Sequence, residues 1–209
     1  MIAEISQFFV DGGFWMIPIA GVSVVAVAVA VERIYALFFV YNTDGNALYN
    51  KVLAAVKNNQ DSEAIQICER LPKAALARVL KGGLINADRG EDAVSSGIEE
   101  ATLESTPLLL KRTGSLGGLA SLATLLGLLG TVMGLIDAFK TVAEAPADQK
   151  SALLTSAIAV AMNTTAFGLI AAIPVTIVFM LLSGTTKKIM DEIDLFSLKL
   201  ENTLRARKK

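Results

Sequence analysis

Histidine is absent from this 209-residue sequence, and cysteine and tryptophan occur once each, as Cys68 and Trp15. Without histidine the commonest general base is missing. With a single thiol beside that absence, a conventional zinc site has no ligand set. A lone cysteine cannot close an internal disulfide, so the fold does not depend on oxidation. Cys68 reads as a small core residue. Net charge is also nearly absent: 19 Lys and Arg against 20 Asp and Glu leave −1. No global field draws such a chain to nucleic acid. No motif supports an enzyme, and no cofactor is expected.

Apolar residues are what the sequence has in abundance, at 53%, with a mean hydropathy of +0.55. Ordinary soluble domains sit at roughly 45–50% even when glycine is counted. Three runs carry no charge: Gly12 to Val31, Thr113 to Ile136, and Ser151 to Leu182. At about 1.5 Å per residue, roughly 20 helical residues cross a hydrocarbon core about 30 Å thick. Each run reaches that length. The expected fold is therefore all-α: a polytopic membrane protein with three transmembrane helices extended into the cytoplasm. The start, MIAEISQFF, lacks the basic head of a cleaved signal, so the first span reads as an uncleaved anchor. Trp15 stands where an aromatic belt residue belongs.

Lys140 and Lys150 are the only basic residues ahead of span one or between spans two and three. By the positive-inside bias, the N-terminus and that short loop lie outside, while residues 42–112 and the tail lie inside. The boundaries follow. Residues 1–41 hold an N-terminal interfacial segment, with Ile2, Ile5, Phe8 and Phe9 on one side and closed by Asp11-Gly12-Gly13, and then span one. Residues 42–112 form a cytoplasmic helical region, 113–139 span two, 140–150 an outer loop, 151–183 span three, and 184–209 a cytoplasmic amphipathic helix. Pro72 stops one cytoplasmic helix. The segment AALARVLKGGLINA follows and ends near Gly90, and a mixed-charge helix from Glu91 through Leu110 is expected to run directly into span two with a kink at Pro107. The region is small for an independent domain and is expected to pack as extensions of the spans. Pro146 breaks the chain between spans two and three, which makes them antiparallel neighbours. The basic tail suits attraction to a lipid surface.

Spans two and three each carry a stripe of small and hydroxylated residues. In span two it runs through Gly117, Ala120, Thr124, Gly127, Thr131, Gly134 and Ala138. In span three it runs through Ala157, Ala161, Thr164 or Thr165, Gly168, and Ala171 or Ala172. Small residues let helix backbones approach closely, and hydroxyls can bond neighbours or ligate ions where water enters. Two readings stand: close helix packing, or the wall of a narrow pore. Asp137 at the outer end of span two either attracts cations or is a solvated interfacial carboxylate. Asn163 either bonds across helices or meets the ion. Glu32 and Arg33 either pair with another subunit or anchor the interface.

The segment LLGLLGTVMGLIDAF (125–139) is similar to the second span of ExbB and TolQ subunits. AIAVAMNTTAFGLIAAIPV (157–175) resembles their third, and VERIYAL (31–37) their exit from the first. Order, spacing and topology agree, so the chain is identified as a member of the MotA/TolQ/ExbB proton-channel family. The resemblance implies a pentameric ring around an ExbD/TolR-like single-span partner with a membrane Asp. It implies an inner-membrane motor driven by H+ or Na+, with a TonB/TolA-like protein as a further partner. Thr131 and Thr165 match the family's pore threonines. One departure stands out: Val160 occupies the position of a span-three Glu. The neighbouring Asn163, Thr164 and Thr165 are closer to sodium-driven flagellar stator subunits. Sodium held by Thr131, Thr164 and Thr165 is accordingly preferred over protons, since a hard cation wants several oxygen ligands. The alternatives are a flagellar-stator-type subunit and a passive membrane scaffold without ion flux.

Overall fold

The computed structural model describes residues 13–208, and these are helical with no strand among them. The expected interfacial segment at residues 2–10 lies outside the described residues. Helix α1 spans Met16–Tyr35 and continues as a wider π-helical turn, Ala36–Tyr41. Four shorter helices follow: α2 Gly45–Lys57, α3 Asp61–Glu69, α4 Ala75–Ile85 and α5 Glu91–Leu110. Two long ones complete the chain, α6 Thr113–Glu144 and α7 Lys150–Lys208. Three helical stretches are long and apolar enough to cross a membrane, and only 22% of each apolar window is buried. The chain is a multi-pass membrane protein. One copy leaves most of that apolar surface for lipid or for other chains to cover.

Contacts divide the chain into two compact units. The first comprises α1 to Val31, α6 from Gly114 and α7 to Met180. Helix α1 buries Met16, Ile19, Ala26 and Ala30 and leaves Val24, Val25, Val27 and Val31 exposed. Helices α6 and α7 are antiparallel: Gly117 meets Phe179, Gly127 meets Gly168, and Gly134 meets Ala161. The connection between them is shorter than expected, because α6 runs on to Glu144 and α7 begins at Lys150. Pro174 is accommodated inside α7 without ending it. Ser23, Thr124, Thr155, Thr164 and Thr176 on these helices return their hydroxyl protons to carbonyls one turn back, as Ser23 does to Ile19 O at 2.7 Å. That is how a hydroxyl is satisfied where water is scarce.

The second unit comprises residues 32–113 and 181–209. Here residues 42–112 are more than a set of span extensions, because the unit has a core of its own. Helix α2 packs on α3, α3 on α4, and α4 on α5. Val52, Val56, Ala64, Val79 and Leu80 are buried among them, with Ile193, Phe196, Leu200 and Leu204 of α7. Asp44 caps α2 by accepting from Ala47 N at 3.0 Å, leaving one fewer orphan donor in the first turn. Tyr49 stacks on Phe196 with ring centroids 4.9 Å apart. Gly45 and Gly82 sit at contacts that a side chain would foul, against Glu192 and Phe196 in one case and Gly97 O in the other.

The passage from α5 to α6 departs from expectation. Helix α5 carries Pro107 inside it and ends at Leu110, and Arg112 then takes a left-handed φ of 56°. The helix is therefore broken at Lys111–Arg112, not merely kinked at Pro107. The break leaves the last α5 carbonyls without intrahelical donors, and Arg33 supplies them. Its guanidinium is almost fully buried and donates to Leu109 O at 2.8 Å and Leu108 O at 3.2 Å. A cation at a helix C-terminus also meets the favourable end of the helix dipole. Glu32 pairs with Arg112 at 2.7 Å. Both residues thus find partners within their own chain.

Candidate functional site

Within the first unit the seam between α6 and α7 is built on glycine. A methyl group added at Gly168 would stand 2.8 Å from Ala123 O and 3.0 Å from Gly127 Cα. One added at Gly127 would stand 3.2 Å from Gly168 Cα and 3.3 Å from Thr164 O. Glycine is the residue that permits such backbone approach. Close approach then brings polar groups of the two helices within reach of each other.

Thr131 and Thr165 meet there. Their hydroxyl oxygens are in direct contact across the seam. Thr131 Oγ1 lies 3.1 Å from Ala161 O on the facing helix and 3.2 Å from Gly127 O on its own. Thr165 Oγ1 donates across to Gly127 O at 3.1 Å. Two hydroxyls and two backbone carbonyls therefore converge on one half-buried spot. Each hydroxyl has one proton and two lone pairs, so this group of four oxygens has more acceptors than protons to offer them.

Thr164 takes a different part. Its hydroxyl donates to Val160 O at 3.1 Å, down its own helix, and its side chain is buried. Its methyl group fills the notch left by Gly130, where Trp15 of the segment leading into α1 also stands, with Cβ 3.0 Å from a methyl placed on Gly130. Asn163 is half-buried, and its amide makes no hydrogen bond among the described residues. Thr124 is exposed and bonds only to Ala120 O, at 3.2 Å. Asp137 is exposed, 3.9 Å from an equally exposed Lys140. Of the small-residue stripe, Gly127, Gly134, Ala161 and Gly168 lie in the seam, and Gly117 lies under the Phe179 ring. Gly130 and Trp15 were missed as seam residues. The signal for them was a bulky indole close to the chain entry, which needs a notch to lie in.

The profile of the MotA/TolQ/ExbB proton channel family matches residues 63–195, which include both threonines. The chain belongs to the MotA/TolQ/ExbB proton channel family. Among similar proteins, biopolymer transport protein ExbB-like 3 of Synechocystis is 29% identical over 163 residues, 78% of this chain and 77% of the relative. Biopolymer transport protein exbB1 of Vibrio cholerae is 41% identical over 73 residues, 35% of this chain and 32% of that protein. The family profile spans the shorter helices from within α3 onward as well as the α6–α7 seam.

Proposed function

We propose that this chain is the ring-forming subunit of an inner-membrane motor driven by an ion gradient. It conducts the ion together with an ExbD/TolR-like single-span partner and passes mechanical work to the cell envelope. The observation that carries the reading is the Thr131–Thr165 pair, with Gly127 O and Ala161 O, on two adjacent apolar helices. Family membership and the biopolymer-transport names of the relatives agree with it. In this reading the ring is a pentamer, the N-terminus is periplasmic and the C-terminus cytoplasmic. No covalent chemistry is involved, and the transported ion takes the place of a cofactor.

Sodium is the preferred ion. Spans two and three carry no titratable group along their apolar runs, and Val160 adds none. Proton transfer favours titratable groups or continuous water, whereas a hard cation is served by several oxygens. Four oxygens around Thr131 and Thr165, completed by a partner carboxylate, suit the second case. In this reading Asn163, half-buried and with no hydrogen bond to its amide among the described residues, meets the partner or a neighbouring copy.

The test is flux in liposomes containing the full chain, with and without its single-span partner, while sodium is varied at constant proton-motive force. Sodium-dependent flux that requires the partner is the expected result. Flux indifferent to sodium would make the ring a proton motor whose titrating group belongs to the partner. No flux under any condition would leave a passive scaffold.

A further inference from the structure

Helix α5 is acidic throughout. Between Glu91 and Leu110 it has five carboxylates, at Glu91, Asp92, Glu99, Glu100 and Glu104, and no Lys or Arg. Glu91 is paired with Arg205 and Glu104 with Arg78. Glu99 and Glu100 have no ion-pair partner among the described residues. Between them and Glu104 stands Leu103, 67% exposed, on a helix whose opposite side is packed against α4.

The opposite end of the same row of helices has the complementary features. Helices α2 and α3 enclose a cleft of about 890 Å³, continued by a smaller one of about 290 Å³. Lys51 and Arg70 border both. Both are exposed and without an ion-pair partner among the described residues. Ile67 and the 40%-exposed Leu71 supply apolar lining. Two nearby acids are already engaged: Asp61 is held by Arg207, and Glu69 by Lys81. Glu63 lines the larger cleft and Asp44 the smaller, and Asp44 is engaged as the cap that accepts from Ala47 N. The order α2–α3–α4–α5 puts the acidic knob and the cleft that holds the unpaired Lys51 and Arg70 at the two ends of the row.

We propose that α5 of one copy docks into the α2–α3 cleft of the next. Leu103 sits on Ile67 and Leu71, while Glu99 and Glu100 face Lys51 and Arg70. Because two different patches meet, the contact is head-to-tail, the kind that propagates around a ring when the rotation closes. Opposite charges fix partner and register, and like charges in the same place disfavour assembly. The inference rests on the ring reading above and gives it a contact surface outside the membrane.

The test uses the full chain in detergent and in membranes. Glu99→Lys with Glu100→Lys, and separately Lys51→Glu with Arg70→Glu, should each raise the concentration needed for assembly by at least about tenfold. All four together should restore it, which also shows that the altered chains fold. In a Cys68→Ser background, Leu71→Cys with Leu103→Cys should give a ladder of linked copies on mild oxidation, and either alone should give none. If the native chain assembles, both charge variants assemble equally and no ladder forms, this surface is wrong and the ring reading stands. A native chain that stays single at every concentration, with or without its partner, overturns both.

Discussion

Gly168 lies so close to Gly127 that a methyl group at 168 would stand 2.8 Å from Ala123 O and 3.0 Å from Gly127 Cα, while one at 127 would be tight at 3.2 Å from Gly168 Cα. The obstacle is backbone, which cannot swing aside as a side chain tip can. Gly168→Ala should therefore push α6 and α7 apart and cost about 1–3 kcal/mol, the usual range for overpacking. Gly118→Ala, where nothing lies within 4 Å, should be neutral or slightly stabilising through helix propensity. Thermal unfolding of the two variants in one detergent checks the contrast.

The two adjacent threonines of α7 should behave differently. Thr165→Val keeps the side-chain shape but removes an oxygen that bonds across the seam. A buried group left without its partner costs about 1–3 kcal/mol, so transport should fall roughly 5- to 150-fold. Thr131→Val should match it. Thr164→Val loses the bond to Val160 O on its own helix, keeps the methyl that fills the Gly130 notch and leaves the Thr131–Thr165 contact in place, so its effect should be several-fold smaller. Equal losses at 164 and 165 would disconnect the oxygen group from transport.

Asp61→Asn tests the far end of α7. Arg207 grips both carboxylate oxygens of Asp61, at 2.5 and 2.6 Å, and adds Val56 O at 3.3 Å. Both side chains are largely buried, at 21% and 23% exposure, so the pair is screened less than a surface one. The amide keeps the shape and loses the charge. Limited proteolysis should then cut near Arg205 and Arg207 faster than in the native chain, with transport altered less than by Thr165→Val.

Cys68 gives a pH signature. Burial raises its thiol from the ordinary 9.0 to about 11. In the unfolded chain the thiol ionises first, so this group's contribution to stability is constant below pH 9 and is lost as pH rises through about 11. Cys68→Ala should flatten that part of the stability profile. Native Cys68 should also resist maleimide at pH 8 and react on unfolding, because the thiolate is the nucleophile.

Much of this was legible from spacing. Three runs of membrane-crossing length became the apolar helices, and the family motifs around Thr131 and Thr165 marked the pair that meets. The exact side of α6 that faces α7 was not. The stripe through Thr124 suggested one direction, yet Thr124 is exposed while Ala123 and Gly130 are buried. The small-residue stripe is wide, and Trp15, more than 100 positions earlier, occupies the notch at one edge of it. Periodicity within one helix carries no information about a third element. The break at Lys111–Arg112 was hidden for a similar reason, since a left-handed arginine is an uncommon choice and its ion-pair partner is Glu32, 80 residues away.

Arg33 sets an order on biosynthesis. Its partners, Leu108 and Leu109, lie 75 and 76 residues later in the chain. At 5–20 residues per second, that separation is roughly 4–15 s of synthesis. During this interval span one has already been made, while its guanidinium still lacks the carbonyls it will cap. Helices α2 to α5 are made in the same window and must leave that position accessible. Span two follows only after the cap's partners have emerged, so the membrane end of α1 is completed at the moment the second hydrophobic segment begins.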